Sequence, residues 1–151
     1  MLSIVLSAIV LVAVTMWIHA GGIAVLLRVF MKLRPHSLTR VWAILVSLLR
    51  MLWWLILLHI SEISVWACFY LWKGCLPSAE AAFYFSGTTY TSVGYGDLVL
   101  SKPWRLFGPL ESLTGILMCG LSTGYFFVIV SRMYQSLMST PPATTAGNAP
   151  E

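Results

Sequence analysis

Apolar residues fill three long stretches of the chain, and most of the polar residues are gathered between them. The stretches cover residues 2–27, 41–72 and 106–130. The first carries no Lys, Arg, Asp or Glu, the second is interrupted by Arg50, His59 and Glu62, and the third by Glu111. A bilayer core of about 30 Å is crossed by about 20 such residues in a helix. The pattern therefore predicts three transmembrane helices.

Composition supports an integral membrane protein of the all-α class. Hydrophobic residues make up 59% of the 151 residues and charged residues only 9%, against roughly 25% charged residues in soluble domains. A cleaved signal peptide is the alternative for the first stretch, but it lacks a positive n-region and is too long for an h-region. The three cysteines lie in or beside apolar runs and indicate neither a disulfide framework nor a metal site.

The layout predicted from these runs has an N-terminal helix, a basic connector, a unit built from the second and third apolar stretches, and a tail. The bounds are 1–30 for the N-terminal transmembrane helix, 31–40 for the cytoplasmic connector, 41–134 for the unit of the second and third stretches and 135–151 for a disordered cytoplasmic tail. The tail is rich in Pro, Thr, Ala and Gly without periodicity, which leaves nothing to bury.

Charge distribution sets the expected orientation. Four basic residues occupy the connector and its edge, and Arg132 follows the third stretch. By the positive-inside rule, the connector and the C-terminus are cytoplasmic and the N-terminus lies outside. We expect a multi-pass protein of a cell membrane, of the bacterial inner-membrane type, with the lipid bilayer as its surroundings.

The segment between the second and third stretches is too polar to cross a membrane. Pro77 and Ser78 supply a helix start, and Glu80 suits the first turn, where the helix dipole favours a carboxylate. A short helix is therefore expected over 79–91, between an outer helix over 41–74 and an inner helix over 105–134. Irregular backbone at membrane depth occurs only where protein buries it or water lines it, so the segment indicates a cavity or pore.

The run T-S-V-G-Y-G-D at 91–97 follows this short helix. Successive carbonyls face one axis only when residues alternate between left- and right-handed conformations, and glycine takes the left-handed value without steric penalty. Gly94 and Gly96 are two apart. The run resembles the selectivity filter of the prokaryotic potassium channel pore-domain family, in which two transmembrane helices flank a pore helix. The resemblance covers about residues 45–134.

The resemblance implies a function and an assembly. The filter would cover 92–97, with potassium bound by the carbonyls of four residues and by the innermost hydroxyl, and with Gly96 completing the turn. The four residues are Ser92, Val93, Gly94 and Tyr95. Four chains close each ring of oxygens, so a homotetramer is implied, with potassium as the permeant ligand and no other cofactor.

The sequence departs from the family's pattern beside the filter. Ser92 replaces the usual threonine of the innermost ring, so that site is expected to be looser. Tyr84 and Phe85 stand where many members place tryptophans, and Phe85 is expected to pack against Tyr95. Thr88 stands where one bacterial relative has a glutamate that pairs with the filter aspartate. Asp97 therefore needs another partner, and Tyr84 is the candidate; Thr91, at the helix end, completes the filter support.

Two acidic residues lie inside the apolar stretches, where ionisable groups are costly and usually functional. His59 precedes Glu62 by three residues and shares its helix face. The pair is either pH-sensitive or, as we favour, a structural hydrogen-bonded pair between subunits. Glu111 is expected either to brace the filter or to hold a structural position behind the short helix.

Glycines of the third stretch have two interpretations. Gly115 is the best candidate for a gating hinge, whereas Gly120 and Gly124 have the spacing of close helix packing. Regularly spaced cations, the mark of a voltage sensor, are missing from all three stretches.

The sequence as a whole predicts a potassium-selective channel for passive flux. Two alternatives remain open: a weakly selective monovalent cation channel, and a non-conducting membrane subunit that modifies another channel. An enzyme is not expected, because the ionisable residues lack nucleophile–base spacing. Neither a nucleic acid nor a soluble partner is indicated.

Overall fold

The computed structural model describes residues 2–32 and 40–138. It contains four α-helices and one 3-10 turn, and no strand within those ranges. The helices are α1 (Leu2–Lys32), α2 (Arg40–Trp72), α3 (Ala79–Tyr90) and α4 (Phe107–Met138). Helices long and apolar enough to cross a membrane occur in Leu2–Val29, Ile44–Trp72 and Lys102–Gln135. The predicted all-α membrane class is confirmed.

Both ends of α4 differ from the predicted bounds, and prolines lie close to each. The turn Lys102–Trp104, with Pro at its start, delays α4 to Phe107 instead of the predicted residue 105. At its other end α4 continues to Met138, so residues 135–138 are helical although they were predicted within the tail. The first proline after α4 is Pro141, and nothing before it stops a helix. Connector residues 33–39 and tail residues 139–151 lie outside the described residues.

The short helix α3 begins at the expected cap. Ser78 has extended backbone, and its hydroxyl accepts a hydrogen bond from the Ala81 amide at 3.1 Å. Glu80 lies in the first turn, where the positive end of the helix dipole favours it. The 12 residues of α3 are too few to cross a bilayer, and residues 91–106 connect it to α4.

Helix α1 packs closely on α2. A Cβ on Gly22 would lie 2.4 Å from Leu58 Cδ1, so a larger residue there would require the Leu58 side chain to move. The Trp54 indole donates to the Gly22 carbonyl at 3.0 Å, and the Trp66 indole donates to Thr15 Oγ1 at 3.0 Å. The Trp66 indole is fully buried and needs an acceptor, and the two bonds link α1 to α2 at two levels.

An aromatic cluster joins the C-terminal end of α2 to the start of α4. Phe69 stacks on Phe107 with ring centroids 5.2 Å apart, and Trp66 meets the edge of Phe107 at 6.5 Å. Trp104 lies 5.3 Å from Phe107, so it packs in the cluster rather than serving only as an interface anchor. Offset and edge contacts of this kind stabilise beyond area burial, and they position the segment that follows α3.

Candidate functional site

The backbone after α3 alternates in hand. Ser92, Gly94 and Gly96 have positive φ values of 62°, 49° and 79°, while Val93 and Tyr95 between them do not. The sequence pointed to Gly94 and Gly96 but not to Ser92, because a non-glycine residue rarely adopts this conformation. The side chains of Val93 and Tyr95 are 52% and 72% exposed. Alternation of hand with a period of two is the backbone pattern that turns successive carbonyls of a segment toward one side.

The end of α3 anchors this segment. The amides of Ser92 and Gly94 donate to the carbonyls of Thr89 and Thr88 at 2.9 and 3.0 Å. The hydroxyl of Thr88 donates back to the Tyr84 carbonyl at 3.0 Å, and that of Thr91 to the Gly87 carbonyl at 2.7 Å. Thr88 thus bonds back to its own helix, Thr91 lies at the C-cap, and the exit of the chain from α3 is held by the Ser92 and Gly94 amides together with the Thr91 hydroxyl.

Asp97 closes the segment against α3. The Tyr84 hydroxyl donates to Asp97 Oδ2 at 2.8 Å, the partner that the sequence suggested, and Asp97 Oδ1 accepts from the Leu98 amide at 3.1 Å. The hydrogen bond to the carboxylate raises the pKa of the Tyr84 phenol above its ordinary value, so the phenol remains a donor throughout the neutral range.

Phe85 lies elsewhere than expected. Its ring is buried and meets Tyr70 edge-on, with centroids 5.3 Å apart, whereas the Tyr95 ring is largely exposed. The expectation that Phe85 packs against Tyr95 is not met within the chain, because the face of α3 that bears Phe85 is turned to α2. Phe85 thus supports the segment indirectly, by holding α3 against the aromatic cluster.

Glu111 lies behind α3. Its carboxylate is fully buried and accepts hydrogen bonds from the Tyr70 hydroxyl at 2.7 Å and from the Ser86 hydroxyl. Tyr70 belongs to α2 and Ser86 to α3, so one side chain of α4 joins three helices. Of the two positions expected for Glu111, the structure shows the one behind the short helix.

The Ser92 hydroxyl has a partner that the sequence did not indicate. Ser92 Oγ lies 2.8 Å from Ser112 Oγ on α4. Ser112 gives no signal in the sequence, since it is one of several small polar residues in an apolar run. The contact ties the innermost residue of the alternating segment to the first turns of α4.

His59 and Glu62 lie together, but their partners belong to the same chain. His59 Nδ1 is 3.4 Å from Glu62 Oε2, and His19 Nδ1 of α1 is 2.9 Å from Glu62 Oε1. The Tyr90 hydroxyl donates to Glu62, and Ser122 Oγ lies 3.2 Å from His59 Nε2. Helices α1 and α3 thus supply partners of the pair within one chain, and a contact of the pair between subunits stays a prediction. His19 was the residue the sequence could have offered, as a histidine at membrane depth.

The glycines of α4 differ from expectation. A Cβ on Gly115 would lie 2.0 Å from the Tyr90 carbonyl oxygen, whereas nothing in the described part of the chain lies within 4 Å of a Cβ on Gly120 or Gly124. Gly115 is therefore a close-packing position that lets α4 touch the end of α3. The packing expected at Gly120 and Gly124 does not occur within the chain, and α4 runs unbroken through all three.

Three membrane-length helices and a short helix followed by a hand-alternating segment define a membrane protein with a re-entrant element between its last two spans. The family model described as an ion channel matches residues 54–132, slightly more than half of the chain. The chain belongs to this ion channel family. No curated protein and no solved structure matched the chain.

Proposed function

We propose that this ion channel is potassium-selective and works as a homotetramer that passes potassium down its gradient. The observation that carries the proposal is the alternation of hand at Ser92, Gly94 and Gly96, directly after a short helix at membrane depth. Carbonyl oxygens turned to one side replace the water shell of a dehydrated cation, and several adjacent sites let ions repel one another and leave quickly.

The roles in this proposal follow from position. The carbonyls of Ser92, Val93, Gly94 and Tyr95 coordinate potassium, and four chains complete each ring. The C-terminal end of α3, at Tyr90, carries the negative end of the helix dipole. It favours a cation in the space next to that end of the helix. The Tyr84–Asp97 hydrogen bond, and the hydrogen bonds from the Thr88 and Thr91 hydroxyls to carbonyls of α3, hold the segment in this conformation.

The tetramer would lie in a cell membrane with its N-terminus outside and its C-terminus in the cytoplasm. This orientation follows from the cations around the connector and Arg132. The re-entrant helix then enters from outside, and potassium meets Asp97 before the carbonyl sites.

Rubidium uptake into liposomes tests conduction. Liposomes that contain the purified protein and more potassium inside than outside should take up rubidium. Gly94→Asp should abolish the uptake while the oligomer mass stays the same. Gly74→Asp is the matched control, because Gly74 also has a positive φ, of 62°, and open space around it but lies outside the segment. No uptake by the wild type, or equal uptake by both variants, contradicts the proposal.

One observation favours a second candidate, a monovalent cation channel with weak selectivity. The Ser92 hydroxyl lies 2.8 Å from Ser112 Oγ, and when it accepts that hydrogen bond only one of its two lone pairs is left for an ion. Reversal potentials in opposed potassium and sodium gradients separate the candidates. A reversal near the potassium equilibrium potential supports selectivity, and a reversal near zero supports the weakly selective channel.

A further inference from the structure

His19, His59 and Glu62 form a buried cluster where α1 meets α2. One ligand atom from each lies within 4.8 Å of the other two. The side chains of His19 and His59 are 3% and 19% exposed, and that of Glu62 is fully buried. The cluster lies apart from residues 92–97, and His19 precedes the residues matched by the family.

Both imidazoles are oriented alike. Each histidine turns Nδ1 toward the Glu62 carboxylate, at 2.9 Å for His19 and 3.4 Å for His59. Each turns Nε2 toward Ser122 Oγ, at 3.4 and 3.2 Å respectively. Metal-bound histidines typically use one ring nitrogen for the ion and the other for a hydrogen bond to an oxygen, and Ser122 stands at the second position for both rings.

The spacing suits a small tetrahedral ion. Zinc–nitrogen bonds of about 2.0–2.1 Å in tetrahedral geometry place ligand atoms about 3.3 Å apart. The two distances from the histidines to the carboxylate are already close to this value. The Tyr90 hydroxyl, 3.1 Å from His59 Nδ1 and bonded to Glu62, offers a fourth oxygen.

The donor types select the class of ion. Two imidazoles and one carboxylate match zinc and the other late divalent metals, whereas calcium and magnesium require mainly oxygen ligands. His19 also lines a partly open cavity of about 370 Å³ between α1 and α4, with Ile23, Met118 and Tyr125.

We propose that His19, His59 and Glu62 bind one zinc ion per chain, with Ser122 orienting both imidazoles. Binding requires each Nδ1 and the carboxylate to be free of protons. Each histidine then has its remaining proton on Nε2 and donates to Ser122, whose hydroxyl oxygen can accept two hydrogen bonds. The proton that the His19–Glu62 bond holds in the metal-free state is released to solvent or moves to Nε2.

A bound ion would join elements that otherwise share only hydrogen bonds. His19 lies on α1, and His59 and Glu62 lie on α2, while Tyr90 is the last residue of α3 before the alternating segment. Zinc at this position therefore holds the N-terminal helix against the part of the molecule that supports residues 92–97.

Zinc titration of the full chain, purified without a histidine tag or chelator, tests the site. Calorimetry should give one zinc per chain. His19→Gln and His59→Gln, which keep a polar group, should each weaken binding at least tenfold, and Ser122→Ala about ten- to a hundredfold. His36→Gln is the control for the chain's third histidine and should leave the affinity unchanged.

Circular dichroism and oligomer mass establish that each variant is folded, and the assay does not depend on conduction. If a glutamine variant does not fold, cobalt added to the wild type decides. Intense visible absorption of a tetrahedral imidazole site supports the proposal, and the weak spectrum of octahedral cobalt contradicts it. Wild-type protein that binds no zinc, or a folded His19→Gln, His59→Gln double variant that binds as tightly as wild type, overturns it.

Discussion

Gly115 is the single residue at which the contact between α3 and α4 is most sensitive. A Cβ there would lie 2.0 Å from the Tyr90 carbonyl oxygen, which is backbone and cannot rotate away. We expect Gly115→Ala to push α4 from the end of α3 and to destabilise the protein by about 1–3 kcal/mol, the usual cost of overpacking. Thermal unfolding in detergent measures it as a lower Tm.

Gly120→Ala is the control for this substitution. Nothing in the described chain approaches a Cβ at Gly120 within 4 Å, and alanine is the better helix former by about 1 kcal/mol. Its Tm should stay the same or rise. Equal losses in the two variants would contradict the packing role of Gly115 and restore the hinge interpretation.

Tyr84 holds the far end of the alternating segment through one hydrogen bond. Tyr84→Phe leaves the ring but removes the donor to Asp97, so the turn that contains the Leu98 amide should open more often. We expect faster hydrogen exchange at residues 96–98, measured by mass spectrometry. Tyr134→Phe, at an exposed position of α4, is the control, and unchanged exchange in Tyr84→Phe would refute a supporting role.

Sequence reasoning reached some of these residues because the signal was local. Gly94 and Gly96 indicate a left-handed backbone because they are glycines. Tyr84 lies one helical turn before Thr88, on the side of the helix from which Asp97 can be reached. The left-handed conformation of Ser92 could not be predicted from its residue type, since the hydrogen bonds to the Thr88 and Thr89 carbonyls hold the backbone there. The His19–Glu62 pair spans 43 residues, and no pattern within either helix specifies it.

At the scale of the helices, the contact of α1 with α2 depends on glycine at position 22. Leucine at Gly22 would collide with Leu58, which approaches a Cβ there to 2.4 Å. Gly22→Leu should separate the helices, weaken the Trp54 bond to the Gly22 carbonyl, and cost about 1–3 kcal/mol. The measurement is again the Tm in detergent.

Gly21 provides a control one residue away. A Cβ at Gly21 meets nothing within 4 Å in the described chain, so Gly21→Leu should leave the Tm near that of the wild type. If both leucine variants unfold at the wild-type temperature, α1 is not held by this contact.

The helices themselves were predictable to the extent that apolar length decides them. Three apolar runs with few charged residues become three membrane-length helices because their backbone polar groups need internal partners in lipid. The ends were less predictable, since α4 starts only after a 3-10 turn containing Pro103. The sides on which helices meet could not be foreseen, because a helix that is apolar all round does not mark its buried face.

At the scale of the whole molecule, the family match and the helix contacts divide the chain differently. The match begins at residue 54, within α2, and leaves α1 outside. Yet the buried Glu62, inside the match, takes a partner from α1. The N-terminal helix is thus bonded to the channel unit rather than merely adjacent to it, and its removal would leave Glu62 without its His19 partner at membrane depth.

The proposed tetramer makes a prediction about ions and assembly together. Ions that bind only when four chains close the carbonyl rings stabilise the assembled state by mass action, by about 2.7 kcal/mol when their concentration is a hundred times the dissociation constant. Because the chain has a mass of 16.8 kDa, the tetramer should migrate at about four times that mass, apart from bound detergent. Because the ions stabilise the assembled state, the tetramer should dissociate at a higher temperature in potassium than in sodium at equal ionic strength.

The Gly94→Asp variant separates this effect from general salt effects. Its side chain strains the left-handed position and adds charge beside the ring of oxygens, so the difference between potassium and sodium should disappear even where a tetramer forms. Gly74→Asp should keep the difference. Equal dissociation temperatures of the wild type in the two salts would contradict selective potassium binding, whereas a particle of another mass would contradict the four-fold ring itself.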